Sequence, residues 1–178
     1  MAHRPNNLWR HAMLLIASLL LLAAPAHASA AATTDKAHQY KLEAAFLYNF
    51  LNYITWPGYD APDELPSPTI CVLQGDPIEP YLTYVQQKMA EQRPLTVRHL
   101  APEANADGCS LFFSRRGYTP PTKTTIPILT VSADASNASM ISMRAEEDGV
   151  ALRINNTMLS EQGFQASSRL LSLAQEVK

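Results

Sequence analysis

The chain has 178 residues, 47% of them hydrophobic, with 14 Lys+Arg against 16 Asp+Glu. That is the composition of an ordinary folded domain, and it excludes collagen-like, repeat, coiled-coil and disordered architectures. The charge balance offers no basic surplus for a phosphate backbone, so nucleic acid is not an expected partner.

Residues 1–11 carry Arg4 and Arg10 and no acid, the apolar run 13–24 follows, and Ala26-His27-Ala28 comes next. This charged, apolar, A-x-A order predicts a cleavable export signal over residues 1–28. Cleavage is expected after Ala28, or after Ala30, because Ala28-Ser29-Ala30 satisfies the same rule. The apolar run is too short to span a bilayer comfortably, which argues against an uncleaved anchor. Residues 29–178 then hold 12 bases and 16 acids. They are expected to form one domain outside the cytoplasm, not embedded in a membrane, with enough chain for a single core.

Leu42, Ala45/Phe46, Asn49/Phe50 and Tyr53 recur at helical spacing without Gly or Pro. They predict a helix over residues 40–54 that stops at Trp56-Pro57-Gly58. A proline-dense loop through Pro62, Pro66 and Pro68 leads to a short buried strand at 69–73. Asp76-Pro77-Ile78-Glu79 has the order of a helix start, and the helix is expected to reach about Ala90. Residues 94–100 alternate apolar and polar, the mark of a strand with one exposed face, and they complete a β-α-β unit.

Further strands are expected at 109–113 and 126–131, the second with Pro127 at its start or on a sheet edge. Residues 115–125, with Pro120-Pro121, read as a loop. Asp148-Gly149 marks a hairpin between strands 140–145 and 150–155. A short helix at 156–162 stops at Gly163. A terminal helix at 166–177 should turn Leu170, Leu171, Leu173 and Ala174 inward and leave Arg169, Ser172 and Gln175 outside. The fold class is α/β: a single domain with a mixed β-sheet of five or six strands flanked by helices, containing a β-α-β unit and a C-terminal hairpin plus helix.

Chemistry-bearing motifs are absent from the sequence: no nucleophile elbow, no phosphate loop, no metal-ligand spacing. His38 sits at the start of a helix and His99 on the polar face of a strand, poor positions for a catalytic base. Glu146-Glu147-Asp148 precedes the hairpin glycine and reads as a solvated turn. No enzyme activity, catalytic residue, metal or cofactor is expected. Cys71 and Cys109 form either one disulfide, which an oxidising compartment favours, or two buried free thiols. Seven aromatics crowd residues 40–59. Phe46, Phe50 and Tyr53 share a face and read as core, whereas Tyr48, Asn49 and Trp56 are the candidate partner or ligand surface, joined by Arg169 on the outer face of the terminal helix.

The runs Ala44-Ala45-Phe46-Leu47-Tyr48-Asn49-Phe50, Trp56-Pro57, Ile70-Cys71-Val72-Leu73 with Gly75-Asp76-Pro77, Arg93-Pro94-Leu95-Thr96-Val97-Arg98, Gly108-Cys109-Ser110-Leu111-Phe112-Phe113, Ile128-Leu129-Thr130-Val131-Ser132 and Ser167-Ser168-Arg169-Leu170-Leu171 resemble, in order, the blocks of the YfiR family of bacterial periplasmic proteins. The resemblance covers residues 40–174. It implies a periplasmic α/β protein that represses an inner-membrane diguanylate cyclase by binding its periplasmic region, and so controls cyclic di-GMP and biofilm formation. It also implies that Cys71 and Cys109, matching the family's strand cysteines, are joined. Some related proteins serve other membrane receptors such as histidine kinases, and self-association fits the family. The chain departs from the pattern in three places: residues 115–125 replace a helix, Asn137-Ala138-Ser139 replaces a glycine pair, and no second cysteine pair lies near the hairpin. A separate reading, independent of the resemblance, is a small-ligand-binding module centred on Tyr48, Asn49 and Trp56.

Overall fold

A computed structural model describes residues 27–115, 126–134, 138–146 and 149–178, with side chains from residue 35 onward. The chain falls into two units, Met1–Lys36 and Ala37–Lys178, and the second is the mixed α/β domain described below. The export-signal segment before residue 27 and most of the 115–125 loop lie outside the described residues.

Helix α1 (His27–Tyr53) is longer than its apolar pattern alone predicts, because no Gly or Pro interrupts residues 27–53. Its buried face is Ala44, Leu47 and Leu51, with Phe50 beside them. The expected stripe through Leu42, Ala45 and Asn49 is therefore rotated: Ala45 and Asn49 are exposed, and Phe46 and Tyr53 pack only at the core margin. Small and aliphatic residues at i, i+3, i+4 spacing fit the close approach of helix to sheet, while Phe50 fills the core and the Phe46 and Tyr53 rings reach it from its rim.

The chain then makes a two-residue strand β1 (Ile54–Thr55), a 3-10 turn at Pro62–Glu64 and strand β2 (Thr69–Leu73). Helix α2 (Glu79–Met89) and strand β3 (Thr96–Leu100) complete the β-α-β unit, β3 parallel to β2. The helix begins later than expected. Asp76 Oδ1 accepts the Ile78 N–H at 3.0 Å, so residues 76–78 form a turn ahead of the first helical residue instead of the cap itself.

Strands β4 (Leu111–Ser114), β5 (Leu129–Ser132), β6 (Ile141–Glu146) and β7 (Gly149–Ile154) extend the sheet. Its order is β3-β2-β4-β5-β6-β7 followed by the terminal strand β9 (Glu176–Val177), seven strands, parallel except for the antiparallel β6–β7 hairpin. β3 is an edge, which accounts for its half-exposed pattern, and Pro127 precedes β5, which runs through the middle of the sheet.

The C-terminal region differs most from the expected helix. Helix α3 (Asn156–Glu161) is capped by Asn155 Oδ1, which accepts the Met158 N–H at 2.9 Å. Gly163 then adopts φ +80°, where a side chain would be strained and its Cβ would come within 3.3 Å of the Pro57 ring. Strand β8 (Gln165–Ala166) pairs with β1, and helix α4 (Ser168–Leu173) is a turn and a half long. Beyond it the chain is extended as β9 (Glu176–Val177) on β7, with the Gln175 N–H donating to the Leu152 carbonyl and the Lys178 N–H to the Ile154 carbonyl. Sheet pairing outcompetes helix continuation here. Consequently only Leu170 of the four expected inward residues is fully buried; Leu171 and Ala174 are half-buried and Leu173 is 58% exposed.

The main core lies between one sheet face and the helices, and a smaller cluster of Cys71, Leu100, Ala106, Cys109 and Phe112 lies apart from it. A disulfide joins Cys71 in β2 to Cys109 just before β4, their Cα atoms 5.8 Å apart. It closes a 38-residue separation, worth about 4 kcal/mol in the chain-entropy account. Cys71→Ser should accordingly lower the thermal midpoint by about 10 °C, read by circular dichroism. Leu170→Ala should cost about 2 to 5 kcal/mol in denaturant titration and Leu173→Ala less than about 0.5. Equal losses at the two leucines would overturn the placement of α4.

Candidate functional site

The sequence-derived surface residues are only partly gathered. Asn49 and Tyr53 lie one turn apart on α1, and the guanidinium of exposed Arg169 sits 5.5 Å above the Tyr53 ring, a cation–π contact that joins α4 to this flank. Tyr48 is half-buried on the adjoining flank, where its carbonyl accepts from Asn52 Nδ2. There Arg93 Nη1 donates to the Leu51 carbonyl at 2.6 Å and to Asn52 Oδ1 at 2.7 Å, and Nη2 donates to the Pro62 carbonyl. Burial pushes the Arg93 pKa down, partly offset by Tyr48 and Asp63.

Trp56 is a correction. Its ring is 4% exposed, packs edge-on against Phe164 at 5.9 Å, and its Nε1–H donates to the Ser110 carbonyl at 3.3 Å. A partnered, buried indole fills the core and has almost no surface to offer a ligand or protein. His99, also set aside above, has Nδ1 3.3 Å from Glu79 Oε1 on the exposed edge strand.

A second cluster, not anticipated from the sequence, stands at the carboxyl ends of β2 and β4. Glu43 of α1 is 1% exposed inside the core-facing helix surface. Arg115, immediately after β4, reaches it with Nη2 2.8 Å from Oε2 and Nη1 3.4 Å from Oε1, and places Nε 3.1 Å from Asp76 Oδ1 in the turn after β2. The guanidinium also lies 4.6 Å from the centre of the Tyr40 ring and 5.4 Å from that of Phe113. Gln39 Nε2 donates to Glu43 Oε1 at 2.7 Å, so the buried carboxylate is well partnered. Burial alone would lower the Arg115 pKa, but the hydrogen bond and charge of Glu43, followed by Asp76, hold it above the usual arginine value. The cue was present: an acid on the inner face of an apolar helix must find a cation.

Among the described residues no group of three or more His, Cys, Asp or Glu is placed to share a metal ion, and no helix is long and apolar enough to cross a membrane.

Arg115→Met should strand the Glu43 carboxylate in the core and cost about 3 kcal/mol, discounted from the full buried-pair range because the arginine side chain retains solvent contact. Glu43→Leu combined with Arg115→Met should recover most of that loss. Chemical denaturation of the two single variants and the double variant measures the coupling; additive losses would mean the pair does not act as a unit.

The chain matches a family model described as YfiR/HmsC-like over residues 40–175, which takes in α1 from Tyr40, every strand of the sheet but β9, and α4. No curated protein matches it significantly. The match spans nearly the whole α/β domain, and the chain therefore belongs to the YfiR/HmsC-like family.

Proposed function

We propose that this protein is a periplasmic regulator without catalytic activity, exported by its N-terminal signal, which binds the periplasmic region of an inner-membrane diguanylate cyclase and restrains cyclic di-GMP synthesis. Membership of the YfiR/HmsC-like family is the observation that carries this reading. The sequence supports export through the order of charged, apolar and small residues over 1–28. The flank formed by Asn49, Tyr53 and Arg169 supports contact with a protein, since it combines an exposed guanidinium, an aromatic ring and an amide on packed elements. The alternative of an aromatic ligand held at Trp56 loses its central residue to the core.

Deletion of the gene should raise cellular cyclic di-GMP in the host, and the purified domain should capture the periplasmic segment of its cyclase. Arg169→Glu should leave the thermal midpoint nearly unchanged and weaken that capture about tenfold or more, as loss of a charged contact at an interface does. Unaltered cyclic di-GMP on deletion, together with capture of a histidine kinase sensor segment, would replace the cyclase by the kinase.

A further inference from the structure

Helix α2 and the turn after it follow α1 in the same direction. The Tyr40 and Tyr81 rings lie 6.1 Å apart near one end, and Arg93, beyond α2, donates to the Leu51 carbonyl at 2.6 Å near the other. Between these contacts an open groove of about 660 Å³ is lined by Lys41, Ala44 and Ala45 of α1 and by Pro80, Tyr81, Tyr84 and Val85 of α2. The two alanines leave the space that the tyrosines border, and Tyr84 stands 61% exposed on the rim. Small floor residues beside exposed tyrosines suit an apolar anchor from a protein partner.

The charge around the groove is one-sided. Lys41 lines it, and Lys88, one turn on from Tyr84 and Val85, shares their face of α2. Neither lysine has an ion pair among the described residues. The acids next in sequence to the lining residues are engaged elsewhere: Glu43 is buried on Arg115, and Glu79 accepts from the Gly75 N–H and meets His99. A chain with 12 bases and 16 acids over residues 29–178 therefore has a groove that is locally basic.

Spacing decides what fits. The alignment of Tyr40 with Tyr81 sets Lys88 about six residues, or about 9 Å, farther along the groove than Lys41. The one carboxylate of a fatty acid or small organic acid would serve one lysine. Acids two turns apart on a helix, about 11 Å, would serve both, while apolar side chains at i, i+3, i+4 spacing enter the groove between them.

We propose that the α1–α2 groove seats an acidic amphipathic helix of a partner protein, its apolar stripe over Ala44, Ala45 and Val85 against the tyrosine rings and its flanking acids paired with Lys41 and Lys88. This surface is separate from the Arg169 flank. The assignment goes beyond the regulatory reading and holds whether the partner is a cyclase, a kinase or another protein.

The test places the photo-crosslinker p-benzoylphenylalanine at Tyr84 of the full chain in its host, followed by mass spectrometry of the adduct. The adduct should map to one segment of another protein with apolar residues at helical spacing and acids beside them. A synthetic peptide of that segment should then bind the purified protein in fluorescence anisotropy, more weakly as salt rises. Lys41→Glu with Lys88→Glu should raise its Kd about tenfold or more, and a peptide with the acids replaced by lysine should restore binding to that variant. Ala45→Trp, which fills the groove from an exposed position, should weaken binding as much while leaving the thermal midpoint within about 2 °C. Arg169→Glu should leave peptide binding unchanged, which separates this surface from the other. The assignment is overturned by an adduct confined to a second copy of this chain or to lipid, by the absence of any protein adduct, by a segment without acids, or by a Kd that charge reversal leaves unmoved.

Discussion

The guanidinium of Arg115 is the point on which three parts of the domain depend. It follows the last residue of β4, ion-pairs with Glu43 from α1, and pairs with Asp76 in the turn between β2 and α2. Aromatic rings from α1 and β4, Tyr40 and Phe113, lie against it. A planar fork with five donors can meet two carboxylates at once, which a lysine could not do with the same geometry. The cost of burying Glu43 is thereby offset, and α1 is held at one angle and one depth across the sheet.

The disulfide complements this tie. Phe113 belongs to the main core beneath α1, whereas Phe112, one residue earlier, packs with Cys71 and Cys109 in the separate cluster. Alternate residues of a strand point to opposite faces, so β4 is fastened through both: by the ion pair at its carboxyl end and by the covalent bond just before its amino end. The β3–β4 connection needs such fastening. It must carry the chain past β2 from the edge strand to the far side, and residues 101–110 contain no helix or strand to hold them.

What could be read from the sequence follows from how local each signal is. The β-α-β unit, the antiparallel pairing of β6 with β7, the Gly163 stop and the cysteine pairing rest on residues within one element or on a resemblance spanning the chain, and the structure contains all of them. The inward face of α1 is displaced from the aromatic stripe because Ala44, Leu47 and Leu51, one position round the helix, are buried while Phe46 and Tyr53 stay at the margin. β1, β8 and β9 are two residues each and owe their existence to partners distant in the chain. Trp56 and Glu43 illustrate the same limit from opposite sides: the indole is occupied by Ser110 and Phe164, and the acid by Arg115, all of them far along the sequence.

These ties are unevenly distributed, and that distribution bears on how contact with a partner could be transmitted. The β2–β4 seam has parallel pairing, a disulfide and a buried ion pair network. The segment from β8 to β9 is held by two-residue pairings, by a six-residue helix with Leu170 as its one buried anchor, by the half-buried pair of Arg153 with Glu176 and by the exposed bond of Gln175 to Glu146. Short pairings and exposed ion pairs contribute little individually, so this segment belongs to the low-stability end of the domain. Arg169 sits on it, and Tyr53, the ring beneath Arg169, sits on the firmly held α1. A partner that grips this flank therefore engages one rigid and one yielding element together. Its binding energy can order α4 and β9 against α1 without disturbing the seam.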